Sequence, residues 1–301
     1  MSSASTVCTD AHRVSNPPSA STTDEAWLAQ LPVTLAACAD RWGLTLGERL
    51  SGGLVGHVFA CTTREGEEAV LKLDPPSADE FAGTPEQEAA ALRAWRGRGA
   101  IGLLAFAADL RALLTRRAIP GTPLPPGDER QARREVAGVL TKLFEATTPS
   151  VAIPPLADVV DRYLLMKIAA AGEAQAMLGP FIEQARVCAR QLAATSPEQV
   201  LLHGDVMDKN LLRDGADLVA IDPDPSVGDP HSDIAFWAAT RSPVNGLETR
   251  VTELTSLLQR DVDRAMRWAV VYAIGQACET WRSDTTALRT WVRSPRASEL
   301  L

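Results

Sequence analysis

The sequence predicts an α+β chain of two lobes, a small β-rich N-terminal lobe and a larger helical C-terminal lobe, with the working site in the cleft between them. Three observations carry that expectation. Strand-like runs crowd the stretch from Leu50 to Leu114. Amphipathic helices dominate everything after Pro120-Gly121-Thr122-Pro123. A dense polar set, His203-Gly204-Asp205, Asn210 and Ile221-Asp222-Pro223, falls beyond that change of pattern.

Composition narrows the classes. At 301 residues the chain is long enough for two modest cores. Apolar residues at 46% and charged residues at 23% suit an ordinary globular protein. No apolar run approaches a membrane span and no secretory leader is evident, so a cytoplasmic protein is expected. The net charge of −8 argues against nucleic acid or an acidic membrane surface as partner and is compatible with a cationic small substrate. Cys8, Cys38, Cys61, Cys188 and Cys278 stand singly, which argues for reduced, mostly buried thiols rather than a disulfide framework or zinc site.

The elements follow in order. Residues 1–25 hold Ser, Thr, Ala and Pro with almost no large apolar groups, and are expected as a disordered tail. Helical periodicity begins near Asp24, with Trp27, Leu28, Leu31, Leu35 and Trp42 on it. Strands are expected from Leu50 to Leu73, turning at Arg64-Glu65-Gly66. Thr84 reads as an N-cap, with Pro85 at the first helical position and Gln87 completing a capping box. That helix runs through Trp95 and ends at Gly97, and Ile101–Ala107 and Ala112–Leu114 read as further strands. Helices are then expected near 129–146, 156–171, 180–194, 231–241, 247–258 and 261–282.

Within the helical half, Leu211–Arg213 and Leu218–Ile221 read as strands joined by Asp214-Gly215, a hairpin-turn pair. Closing that hairpin brings Asn210 beside Asp222. An aspartate, an asparagine five positions on and a later aspartate after a strand are what phosphoryl transfer from Mg·ATP requires. One carboxylate orients the acceptor hydroxyl, while an amide and a second carboxylate hold Mg²⁺. Asp205 is the candidate base, and Asn210 and Asp222 are the candidate metal ligands.

The strand half supplies the nucleotide side. Ser51-Gly52-Gly53-Leu54-Val55-Gly56 sits in the first hairpin, where Gly53 and Gly56 let backbone N–H groups approach phosphate oxygens. Lys72 stands in an apolar strand, sharing a face with Val70 and opposing Leu71 and Leu73. A charge there requires a partner. Glu88, on the following helix, is the candidate partner that holds Lys72 toward the α/β-phosphates. The segment Leu113–Ala118 is the expected hinge, meeting the adenine edge through main-chain groups. The chain thus divides into residues 26–118 as nucleotide-binding N-lobe and 119–301 as C-lobe with catalytic loop and acceptor site.

Taken together, Lys72, Glu88, His203-Gly204-Asp205, Asn210 and Ile221-Asp222-Pro223 resemble the aminoglycoside phosphotransferase family. Ala90-Ala91-Leu92-Arg93-Ala94-Trp95, Pro120-Gly121-Thr122-Pro123-Leu124 and Val227-Gly228-Asp229-Pro230 resemble its streptomycin 6-kinase branch, the aminoglycoside/hydroxyurea antibiotic resistance kinases. The likeness covers roughly residues 45–240. It implies a protein-kinase-like two-lobe fold and ATP-dependent phosphorylation of a small-molecule hydroxyl, typically an antibiotic's such as streptomycin. Other acceptors (hydroxyurea, a peptide antibiotic, a metabolite) and a catalytically inactive kinase-like nucleotide-binding protein remain as alternatives.

Departures from that pattern define open questions. The loop after the base reads Val206-Met207-Asp208-Lys209. Lys209 either faces the transferring phosphoryl group, as a further catalytic residue, or pairs with Asp208. Asp224 stands where the branch often has lysine, and either alters metal binding or orients a cationic acceptor. His203 reads as a loop anchor, Asp229 and Asp233 as caps of the next helix that tie down the metal loop, and His57 and His231 as exposed loop histidines. Trp237, Trp268, Tyr272, Glu279, Trp281 and Asp284 are candidates for an acceptor wall, with ordinary core packing expected for at least two of Trp268, Tyr272 and Trp281.

Overall fold

The computed structural model describes residues 22–50, 56–77, 83–127, 129–150, 153–241, 246–279 and 285–301. A β-sheet region precedes a helical one. The first comprises α1 (Thr22–Trp42), β1 (Thr45–Arg49), β2 (His57–Thr62), β3 (Glu68–Leu73), α2 (Pro85–Trp95), β4 (Leu103–Ala107) and β5 (Ala112–Arg116). Its strands form one antiparallel sheet in the order β1-β2-β3-β5-β4. β3 is central, so Lys72 is flanked by Val58 on β2 and Leu113 on β5.

The alternation expected of β3 is present. Ala69, Leu71 and Leu73 are fully buried and pack with Cys38, Cys61 and the α1 residues Trp27, Leu31 and Leu35. Val70 and Lys72 turn to the other face. There Leu113 joins Ala89, Leu92 and Trp95 of α2 in a core shared with the helical region. The capping box at Thr84 and Gln87 starts α2 as the sequence indicates, and Arg96 at φ 53° ends it one residue ahead of Gly97.

The second region comprises β6 (Pro120–Pro123), α3 (Glu129–Phe144), α4 (Leu156–Ala169), α5 (Gln175–Ala194), β7 (Val200–Leu202), β8 (Leu211–Asp214), β9 (Asp217–Ala220) and β10 (Ser226–Gly228), followed by α6 (His231–Arg241), α7 (Leu247–Leu258), α8 (Val262–Ala277), α9 (Thr285–Trp291) and α10 (Pro295–Leu300). Its core is built from α4, α5, α6 and α8, with Leu164, Ile182, Trp268 and Ile274 buried at the centre.

Several boundaries differ from expectation. The first helix starts at Thr22, inside the segment expected as tail, whose residues 1–21 lie outside the described residues. β1 precedes Leu50 because five exposed residues, with no apolar alternation, are recruited by pairing with β2. α5 begins ahead of Pro180, since packing of Leu178 and Ile182 outweighs the backbone bond a helical proline forgoes. β6, β7 and β10 are three or four residues each and exist through pairing with distant partners. All four described cysteines are buried and unpaired. No described helix is long and apolar enough to cross a membrane.

Candidate active site

Two antiparallel pairings build the polar cluster. In the first, β8 and β9 close as a hairpin with Leu211 opposite Ala220 and a turn at Gly215, φ 61°. This sets Asn210 against Ile221, whose N–H donates to the Asn210 carbonyl at 2.9 Å. In the second, β7 pairs with β10, Ser226 opposite Leu202. That pairing lays residues 222–225 along the loop His203-Gly204-Asp205. The approach is closest at Gly204, which sits at φ 78°, and a Cβ there would stand 1.9 Å from the Asp224 carbonyl oxygen. Only glycine satisfies both conditions.

The loop is anchored from beneath. Asp233 on α6 accepts the His203 N–H at 2.8 Å and the Gly204 N–H at 3.0 Å. His203 is fully buried, stacked on Trp95 at 5.9 Å between ring centroids, and its Nδ1 accepts the Asp205 N–H at 3.3 Å. Burial lowers its pKa to about 4, so the ring is neutral near pH 7. A buried neutral ring that bonds backbone is an anchor, as the sequence suggested.

Asp205 receives two bonds from one amide: Asn210 Nδ2 donates to its carbonyl at 2.9 Å and to Oδ2 at 2.7 Å. Lys209 Nζ lies 3.7 Å from the same Oδ2. Burial raises the Asp205 pKa, with Lys209 and Asn210 acting against it and Asp222 adding to it. Asp208 pairs instead with Arg241 at 2.6 Å and accepts from Trp237 Nε1 at 2.9 Å. Of the two options for Lys209, the pairing with Asp208 is therefore absent.

Across the junction, Lys72 Nζ donates to Glu88 Oε2 at 2.7 Å and to Asp222 Oδ1 at 2.5 Å, with Asp74 Oδ2 at 3.7 Å. Burial alone would lower the lysine pKa. The charges of Glu88, Asp222 and Asp74 outweigh it, and the ammonium stays protonated. Burial pushes Glu88 up, against the pull of Lys72, while Lys72 holds Asp222 below the usual carboxylate range. Three carboxylates face one ammonium, an excess of negative charge suited to a bound cation. The Asp222 side chain is 44% exposed and so open to one. Asp222 itself sits at φ 56°, the left-handed region that few non-glycine residues adopt.

Gly56 lies against this group, where a Cβ would stand 2.5 Å from Asp74 Oδ1 and 3.3 Å from Lys72 Cε. Gly53 lies outside the described residues. Lys72, Glu88, Asp205, Lys209, Asn210, Asp222 and Gly56 thus gather where the sheet region meets the helical one. Asp74 was not anticipated: it follows β3 in an Asp-Pro-Pro segment that offers no sequence signal of a charge cluster.

Other expectations are corrected. His231 is the first residue of α6, 4% exposed, with Nδ1 2.6 Å from Asp229, and His57 is a strand residue packed on Trp27. Trp237 is a core residue rather than part of an acceptor wall, while Trp268 and Tyr272 are buried, as the core packing expected for at least two of their set requires. Trp268 donates to Asp229 at 2.7 Å and Tyr272 meets Ser232 at 2.5 Å, so burial of each ring is matched by a polar partner at its tip. Glu279 pairs with Lys167, while Trp281 and Asp284 lie outside the described residues.

The donor set fits Mg²⁺. Asn210 commits its amide nitrogen to Asp205, which leaves the carbonyl oxygen for a cation, and Asp222 adds a carboxylate. Among the described residues no group of three or more His, Cys, Asp or Glu could hold a metal. Magnesium is commonly held by one or two protein oxygens, with phosphates and water completing its octahedron.

Comparison with known proteins gives the family and the fold. Residues 41–284 match the profile of a family described as aminoglycoside/hydroxyurea antibiotic resistance kinase. A hydroxyurea phosphotransferase from Kitasatospora aureofaciens is 32% identical over 253 residues, spanning 80% of this chain and 70% of its own. A streptomycin 6-kinase from Streptomyces glaucescens is 29% identical over 273 residues, 81% of either chain. Among solved structures, a choline/ethanolamine kinase family protein from Mesorhizobium loti superposes with a TM-score of 0.61 at 17% identity, over 92% of this chain and 97% of its own. The fold is protein-kinase-like.

Proposed function

From the premise that this chain belongs to the aminoglycoside/hydroxyurea antibiotic resistance kinase family, we propose that it transfers the terminal phosphoryl group of ATP to a hydroxyl of a small molecule. The observation that carries the reading is the meeting of Lys72 and Asp222 at 2.5 Å, beside a loop in which Asn210 holds Asp205 at 2.7 Å. Asp205 orients the acceptor hydroxyl and takes its proton as the oxygen–phosphorus bond forms. The bond from phosphorus to the bridging oxygen breaks, and ADP leaves with that electron pair. Burial raises the Asp205 pKa, which makes it a better proton acceptor than an exposed aspartate.

Lys72, steadied by Glu88, binds the α/β-phosphates, and Gly56 with Gly53 lets the chain pass close to them. Lys209 sits where it can neutralise charge on the phosphoryl group in transfer. Asn210 and Asp222 would hold Mg²⁺, which when bound neutralises triphosphate charge. The region ending near Ala118 is read as the nucleotide side and the region after it as the acceptor side. ATP-dependent action on a small molecule accords with a cytoplasmic setting.

The acceptor we favour is an aminoglycoside such as streptomycin. Hydroxyurea is the second reading, favoured by the 32% identity to the enzyme named for it. ADP release measured with streptomycin, hydroxyurea and a panel of hydroxylated antibiotics and metabolites, with mass detection of a product heavier by one phosphate, tests both. Turnover of streptomycin alone selects the first, and turnover of hydroxyurea alone the second. No turnover with any compound, despite Mg²⁺-dependent thermal stabilisation by ATP, would leave only a nucleotide-binding protein.

A further inference from the structure

We propose that Asp224 is a positioning residue: a latch from the helical region that sets the N-terminus of α2, and through it Glu88 and Lys72, for the nucleotide phosphates. The inference rests on the reading of Lys72 and Glu88 as the pair that holds those phosphates. Asp224 Oδ1 accepts the Gly83 N–H at 2.7 Å, one residue ahead of Thr84, the N-cap of α2. Arg162 on α4 brings Nη2 to 3.4 Å from both carboxylate oxygens. Through its own backbone Asp224 rests on Gly204 of the loop that carries Asp205. One residue thereby touches the sheet region, α4 and the base-carrying loop.

These bonds close a ring. Asp222 meets Lys72, Lys72 meets Glu88, and Glu88 is carried by α2; the helix is reached from Gly83, and Gly83 is held by Asp224, two residues beyond Asp222. The capping box ties Thr84 to Gln87, so residues 84–88 move as one turn of helix. A displacement of Gly83 therefore carries Glu88 with it. There is little slack at the contact: a Cβ on Gly83 would stand 3.1 Å from Gln87 Oε1 of the capping box, 3.2 Å from Asp224 Oδ1 and 3.4 Å from Pro225 Cδ. Both roles suggested by sequence for Asp224, a metal-side carboxylate or a contact for a cationic acceptor, call for an open carboxylate. Its oxygens instead face Arg162 and the Gly83 N–H.

The test uses the full chain, with calorimetric binding of Mg·AMP-PNP and steady-state KM for ATP and for whichever acceptor turns over. Asp224→Ala should weaken Mg·AMP-PNP about tenfold, the size of one hydrogen bond to a charged group, and raise the KM for ATP in parallel. The acceptor KM should stay within about twofold of wild type. Asp224→Asn keeps an acceptor for the Gly83 N–H and should recover most of the lost affinity. Gly83→Ala crowds both the Asp224 carboxylate and the Gln87 Oε1 of the capping box, so it disturbs the latch together with the turn it sets and should weaken nucleotide binding in the same direction. Should Asp224→Ala fail to fold, Asp224→Asn and Gly83→Ala decide between them: nucleotide affinity preserved in the first and lost in the second supports the latch. A raised acceptor KM with nucleotide affinity unchanged overturns it, as does nucleotide binding indifferent to all three changes. Failure of wild type itself to bind Mg·AMP-PNP would retire the phosphate-holding reading, whereas wild-type binding with indifferent variants retires only the latch.

Discussion

Two sets of aspartates come from one short stretch of chain, and their surroundings separate them. Asp208, Asp229 and Asp233 are saturated by donors. Asp229 is fully buried and accepts from His231, from Arg264 at 2.6 Å and from Trp268 at 2.7 Å, and those bonds outweigh the effect of burial and hold its pKa low. Asp208 accepts from Trp237 and Arg241, and Asp233 from two backbone N–H groups. Asp205 and Asp222 are different. Among the described residues, one has a single amide donor and a lysine at 3.7 Å, and the other accepts from Lys72. Saturated carboxylates build the framework, and the under-satisfied ones, Asp205 beside Lys209 and Asp222 beside Lys72, have oxygens left for a ligand.

The sharpest way to break this contrast is to remove a member of each set. Asp205→Ala should lower kcat by about 10²–10⁴, the usual worth of a positioned base, while Mg·AMP-PNP still binds. Near-normal kcat would move Asp205 out of its assigned role. Asp229→Ala should do the opposite. Loss of the buried acceptor leaves Arg264 and His231 without their partner and should cost about 3–5 kcal/mol in urea unfolding, with kcat of the folded enzyme close to wild type. A large kcat loss at unchanged stability would erase the distinction between the sets.

Asp233 offers a pH test within the framework. Burial pushes its carboxyl up to about 6 from an ordinary 3.8, so between those values the folded chain holds a proton that the unfolded chain releases. Stability from this group therefore rises as pH falls through that window. Relative to Asp233→Asn, wild type should gain about 2–3 kcal/mol over it, read from denaturation midpoints at stepped pH. Parallel pH profiles for the two proteins would show that Asp233 does not titrate there. The smallest effect is expected at Trp237→Phe, which keeps the buried ring but removes one donor to Asp208. It should cost about 1 kcal/mol with little change in kcat, since Arg241 still holds the carboxylate. A kcat loss beyond tenfold there would mean that Asp208 bears directly on the reacting groups.

Much of this was legible in local chemistry. The alternation of Ala69, Val70, Leu71, Lys72 and Leu73 placed the lysine on the face opposite the α1 core. Thr84, Pro85 and Gln87 announced α2, because capping satisfies orphan N–H groups within a few residues of chain. Asp214-Gly215 announced the hairpin that joins Asn210 to Ile221. What stayed hidden depends on partners far away in sequence. β7 and β10 are three residues each and have no identity apart from one another. His231 looked like an exposed loop residue because nothing local signals that Asp261, thirty residues on, will bring its N–H to the ring. Trp237, Trp268 and Tyr272 carried an ambiguous pattern, since an aromatic at helical spacing serves a core as readily as a sugar wall.

The amino-acid sequence by itself determined which local elements form and which polar residues they hold, because period, capping and turn preferences act over a handful of neighbours. Tertiary structure decided which carboxylates are satisfied. Asp208, Asp222, Asp224 and Asp229 are the same residue in similar surroundings on paper. They part ways only when Arg241, Lys72, Gly83 and Arg264 arrive from elsewhere in the chain, for the free energy of a buried charge is set by the donors that reach it in three dimensions.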